Sequence, residues 1–136
     1  MDIFPAGTRP SKRATNDWFT GTVWQDPIIE APDPARVRAI MVAFEPGART
    51  AWHTHPLGQT IHVVSGIGLC GLRGEAPRLI RAGDTVWFAP GEEHWHGAAP
   101  ETGMRHLAMQ EAKEGRVADW LEHVSDEDYV RESEEG

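Results

Sequence analysis

The fold of this chain turns on one stretch, Gly47-Ala48-Arg49-Thr50-Ala51-Trp52-His53-Thr54-His55-Pro56-Leu57-Gly58-Gln59. On a strand, residues two apart point to the same face, so His53 and His55 can grip one ion together; on a helix they would diverge by about 200°. Pro56 and Gly58 break the strand and let the chain reverse, which brings the Gln59 amide oxygen back toward the same place. A third imidazole, His94, follows the turns Gly83-Asp84 and Pro90-Gly91 on a later apolar run. Three imidazole nitrogens and one amide oxygen suit a divalent transition metal, with His53, His55, Gln59 and His94 as ligands.

Working outward, fourteen glycines and ten prolines punctuate short runs rich in Val, Ile, Phe, Thr and Trp. That is the signature of many short strands, so the domain is predicted all-β, two sheets closed as a jelly-roll barrel. Strands are expected at 18–24, 37–44, 50–54, 59–65, 67–72, 78–80, 85–88, 94–98 and 104–110. A chain of 136 residues makes one domain, 1–136, with its core at about 18–110. Near the end, Val117, Trp120, Leu121 and Val124 recur at helical spacing, which predicts a short C-terminal helix within about 116–131. The first ~12 residues are expected to be loose or exchanged with a partner chain.

Bulk composition excludes several functions. Lys and Arg total 13 against 21 Asp and Glu, a formal charge of −8, so there is no basic stripe for nucleic acid. The acid crowded between Glu111 and Glu135 reads as solvation. No apolar run approaches the ~20 residues of a membrane helix, and no charged-then-apolar leader opens the chain, which points to the cytoplasm. The single cysteine, Cys70, rules out an internal disulfide and reads as a small buried hydrophobe.

Parity assigns the remaining faces. Gln59, Ile61 and Val63 point inward and His62 outward; His94 and His96 share a face with Trp95 opposed; His106, Ala108 and Gln110 form one face of the last strand. Ile40 and Val42 face inward and, with Phe44, Thr50, Trp87 and Leu107, are expected to form an apolar substrate pocket, the direction of Trp87 being left open. Trp52 and Trp95, facing away from the metal, are expected to pack on the second sheet or on a partner chain.

Two gapped motifs, Gly47-x5-His53-x-His55-x3-Gln59-x6-Gly66 and Gly83-x7-Gly91-x2-His94, resemble the paired motifs of small single-domain cupins of the cupin 2 type, with glutamine where glutamate is usual. More narrowly, the strings over 17–23, 46–59 and 94–98 are similar to those of the manganese-dependent bacterial hydroxynitrile lyases of cupin fold. That resemblance implies Mn²⁺ rather than Fe²⁺, Ni²⁺, Co²⁺ or Zn²⁺, a small-molecule cyanohydrin substrate, and a homodimer or homotetramer. It also implies His106 and His96 as catalytic histidines; from the shared inward face, His106 is expected as the base, oriented by His96 and Gln110. A neutral ligand set leaves the ion's charge uncompensated, which strengthens it as a Lewis acid and favours acid–base over oxygen chemistry. The alternatives are a cupin dioxygenase or oxidase acting on a small phenolic or enol, and a non-catalytic small-molecule-binding cupin.

Overall fold

The computed structural model describes residues 1–131. Along the chain run β1 (Lys12–Arg13), β2 (Phe19–Thr20), β3 (Val23–Glu30), β4 (Val37–Phe44), β5 (Arg49–Thr50), β6 (His53–Thr54), β7 (Gln59–Leu72), β8 (Arg78–Arg81), β9 (Thr85–Phe88), β10 (His94–Ala98), β11 (Met104–Glu111), β12 (Asp119–Trp120) and α1 (Asp126–Tyr129). All pairings are antiparallel. One sheet runs β1-β3-β4-β11-β7-β9; the other gathers β2, β5, β10, β7 and β8, with β6 beside β10 and β12 beside β6.

β7 belongs to both sheets, which makes it the hinge of the jelly roll. Its first half pairs with β11 and β9, its second with β10 and β8. The sequence suggests two strands interrupted at Gly66; the chain instead bends there without stopping. Gly66 has φ 80°, and a Cβ on it would lie 1.9 Å from the Gly103 carbonyl oxygen, so only glycine permits this crossing.

The sheets close around Val23, Val42, Phe44, Ile61, Val63, Phe88, Met104 and Ala108, all buried. The alternation read from the sequence is observed: on β4, Val42 and Phe44 turn in while Val37 is exposed. Removing side chains of this size from water stabilises the fold by about 1.5–3 kcal/mol each.

The expected helix within 116–131 shrinks to α1, capped by the Ser125 hydroxyl, which accepts from the Asp128 amide at 3.1 Å. The preceding segment is extended. Trp120 packs into the main core while its neighbour Leu121 packs with Trp52, Trp95, Val124 and Tyr129 in a second cluster. A helix of 3.6 period cannot place adjacent residues in opposite clusters; a strand does so by its pleat. Trp52 and Trp95 are therefore covered by this chain's own C-terminal segment, not by the other sheet or a partner.

That segment is latched. The buried Arg49 guanidinium donates to the Val124 carbonyl at 2.8 Å, pairs with Asp126 at 2.8 Å and lies over the Tyr129 ring. Tyr129 Oη donates to the Ala98 carbonyl at 2.5 Å. The N-terminal arm is tied to its own chain as well: Arg9 Nη1 donates to the Ile28 carbonyl at 2.9 Å, although Met1, Ile3 and Phe4 stay exposed. Glu132 to Glu135, the end of the acidic stretch, lie outside the described residues. No helix among those described is long and apolar enough to cross a membrane.

Candidate metal centre and its cavity

β6 is only two residues long, yet it sits between β10 and β12, with His53 opposite His94 on one side and Trp120 on the other. The His53 and His94 rings are 4.2 Å apart and those of His53 and His55 5.0 Å apart. Each of the three predicted imidazole ligands spends its Nδ1 on a main-chain carbonyl: His53 on Ala51 at 2.9 Å, His55 on Val117 at 2.6 Å and His94 on Glu92 at 2.8 Å. A carbonyl only accepts, so in each ring Nδ1 carries the hydrogen and Nε2 is left as a lone pair.

Gln59 adds a fourth. Its Nε2 donates to Gln110 Oε1 at 3.1 Å, which turns its Oε1 toward His94 Nε2, also at 3.1 Å. Two acceptors thus face each other at hydrogen-bond distance with no hydrogen between them. His55 Nε2 is buried and without a partner. Buried acceptors with no donor cost free energy, and a cation among them converts that cost into coordination. The donor set therefore fits a divalent metal.

Burial keeps these rings neutral and available. It lowers His94 to about 3, and takes His53 well below the ordinary imidazole value, with repulsion from His94 and His55 adding to it; His55 is lowered as well, again by burial first. Phe88 stacks on His94 at 3.7 Å, and Trp120, itself stacked on Trp18, lies 4.6 Å from His53.

His96 belongs more closely to the centre than parity indicates. Ring nitrogens of His53, His94 and His96 lie within 4.8 Å of one another, and His96 Nε2 has no partner. Its Nδ1 is 2.9 Å from His106 Nε2. Both rings are buried and depressed, His96 well below the ordinary value and His106 to about 4, burial being the first cause in each. Gln110 does not touch His106 as the sequence suggests; it bonds Gln59 and the Arg38 carbonyl.

A cavity of about 200 Å³ opens on this cluster, lined by His53, His55, Gln59, His96 and Gln110 on its polar side. Ile40, Val42 and Thr50 line it as predicted. Three other predicted pocket residues do not. Trp87 is 59 % exposed on the outer face, Leu107 pairs with His62 on that same face, and Phe44 stands behind the wall, against His96 and His106. His106 is likewise one ring behind the wall, so it communicates with the cavity through His96. Ala108, Phe19, Gln25, Val117, Ala118 and Trp120 complete the lining. Sequence reasoning missed the last three because a helical spacing hid an extended segment, and no signal in the sequence marks its contact with Trp18. Cys70 is buried opposite His96 across the β7–β10 pair, its thiol pushed up to about 11 by burial.

Residues 40–109 match the cupin domain family. The chain belongs to the cupin family. This cupin is 57% identical over 131 residues to the (R)-mandelonitrile lyase of Granulicella tundricola, covering 96% of this chain and 100% of that one. Among solved structures it is similar to a cupin-like protein of Thermotoga maritima, with TM-score 0.83 and 36% identity over the whole of both chains. A polyketide cyclase of Streptomyces resistomycificus shares the fold at TM-score 0.73 and 17% identity, covering 95% of this chain and 90% of its own.

Proposed function

We propose that this cupin is a metal-dependent lyase of the hydroxynitrile type, cleaving a cyanohydrin to an aldehyde or ketone and hydrogen cyanide and running the same reaction in reverse. One observation carries the reading: the His53, His55 and His94 rings lie within 5.5 Å of one another with the Gln59 oxygen 3.1 Å from His94 Nε2, and His53, His55 and Gln59 line the cavity that His96 also faces, His106 standing one ring behind it. The relative's activity supports it. When bound by those four residues, the cation, Mn²⁺ on this reading, supplies a Lewis acid that steadies developing negative charge.

His96 Nε2, free and facing the cavity, takes the hydroxyl proton. As it does so, the proton on its Nδ1 moves along the 2.9 Å bond to His106 Nε2, so His106 is the base, reached through His96. The carbon–oxygen bond becomes a carbonyl, the bond to the nitrile carbon breaks, and its electron pair leaves with cyanide. The proton then returns through His96 to give hydrogen cyanide. Phe19, Val42 and Trp120 offer the departing carbonyl compound an apolar wall. A cavity of about 200 Å³ sits below the range of drug-sized sites, which favours a small aldehyde or ketone.

The exposed Trp24, Val37, Val64 and Trp87 on the outer sheet face support a homodimer or homotetramer. The lone free cysteine suits a cytoplasmic setting. The test is to load the chelator-treated protein with Mn²⁺, add mandelonitrile and follow benzaldehyde by its absorbance. A metal-dependent rate above background is expected; its absence at every metal loading overturns the reading.

A further inference from the structure

Arg38, Gln110 and Gln59 are cross-strand neighbours on β4, β11 and β7 and form one row across the first sheet. Their polar groups join head to tail: Gln59 Nε2 donates to Gln110 Oε1 at 3.1 Å, and Gln110 Nε2 donates to the Arg38 carbonyl at 3.3 Å. The direction of the row is dictated from one end. A main-chain carbonyl accepts and cannot donate, so Gln110 must turn its amino group to Arg38 and its oxygen to Gln59. Gln59 must then turn its amino group to Gln110 and its oxygen to the histidines.

At that far end the arrangement is unfavourable without a cation, since Gln59 Oε1 meets the lone pair of His94 Nε2 at 3.1 Å. A freely turning amide would rotate by about 180° and donate to that nitrogen as an ordinary hydrogen bond. The metal-facing oxygen would be lost and a His94 lone pair consumed. A carboxylate in this position would need no such restraint, because both of its ends are oxygens.

We propose that Gln110 is a positioning residue that locks the Gln59 side chain oxygen-first toward the metal centre, taking its direction from the Arg38 carbonyl. The proposal rests on the reading of Gln59 as a metal ligand. Its role is distinct from proton transfer: Gln110 sets the affinity of the site and the identity of its fourth donor atom.

The test is titration of chelator-treated protein with cobalt(II), reading the dissociation constant and the visible absorption of the bound ion. Gln110→Met keeps the length and removes the acceptor; it should weaken binding about tenfold and shift the cobalt bands, in the range found for lost outer-shell partners. Gln110→Glu restores an acceptor and should return both readouts to within about threefold of the parent protein. In a Gln59→Glu background, where either carboxylate oxygen serves, Gln110→Met should change affinity by less than about threefold. An equal loss in both backgrounds, or no loss in the parent background, overturns the lock alone. If Gln59→Leu leaves cobalt affinity and spectrum unchanged, the ligand assignment itself falls, and the lock with it.

Discussion

Acid should unfold the metal-free protein well above the pH at which its carboxylates titrate, because buried imidazoles must charge. Burial holds His94 at about 3 and His106 at about 4, while the unfolded chain titrates both near 6.5. Above 6.5 the rings are neutral in either state and nothing is lost. Between 6.5 and the native values only the unfolded chain binds the proton, so each pH unit costs about 1.4 kcal/mol per histidine. Below the native values the loss levels off. At pH of about 5 these two rings together remove ~4 kcal/mol. His53 and His96, depressed in the same direction, add to it. A domain of this size holds roughly 5–15 kcal/mol in all, so the fall is a large fraction of the total. Urea unfolding with a chelator present, followed by tryptophan fluorescence at pH of about 7.5 and about 5, measures it. Replacing His106 with Leu should reduce the difference between the two pH values by about 2 kcal/mol. An unchanged urea midpoint across this range would refute the claim that the fold keeps these rings neutral.

Other consequences are as direct. His53→Ala should lose the metal by elemental analysis while keeping its circular dichroism, whereas His106→Ala should keep the metal and lose about 10²–10⁴-fold in rate with mandelonitrile. Arg49→Met strips the Val124 carbonyl and Asp126 of their charged donor; a loss of about 2–4 kcal/mol in urea unfolding and early proteolysis after Ala118 are expected. Gly71→Ala places a Cβ 2.3 Å from the Trp95 indole nitrogen in a packed cluster, and should cost about 1–3 kcal/mol with a shift in tryptophan emission.

Much of the centre was legible because period two is rigid. His53 stands on β6 with His55 just beyond it, while Ile61 and Val63 on β7, His94 and His96 on β10 and His106 on β11 turn inward by alternation within their own strands, and each is buried. The strands Val37–Phe44, Thr85–Phe88 and His94–Ala98 have the predicted bounds for the same reason. What escaped depends on contacts far apart in the chain. The C-terminal segment carries a helical pattern that tertiary packing overrides, since Trp120 and Leu121 are claimed by two different clusters. Trp87 and Leu107 were expected in the pocket on size and polarity, yet alternation puts both outside. Nor does spacing reveal that Gln110 bonds Gln59 rather than His106, because both partners lie within reach of one inward face.

The carbonyl that fixes His55 comes from Val117, sixty-two positions further along. Splicing one extra amino acid between Lys113 and Val117 would therefore retune an imidazole that the insertion never approaches in sequence, while an addition ahead of Met1 leaves it alone.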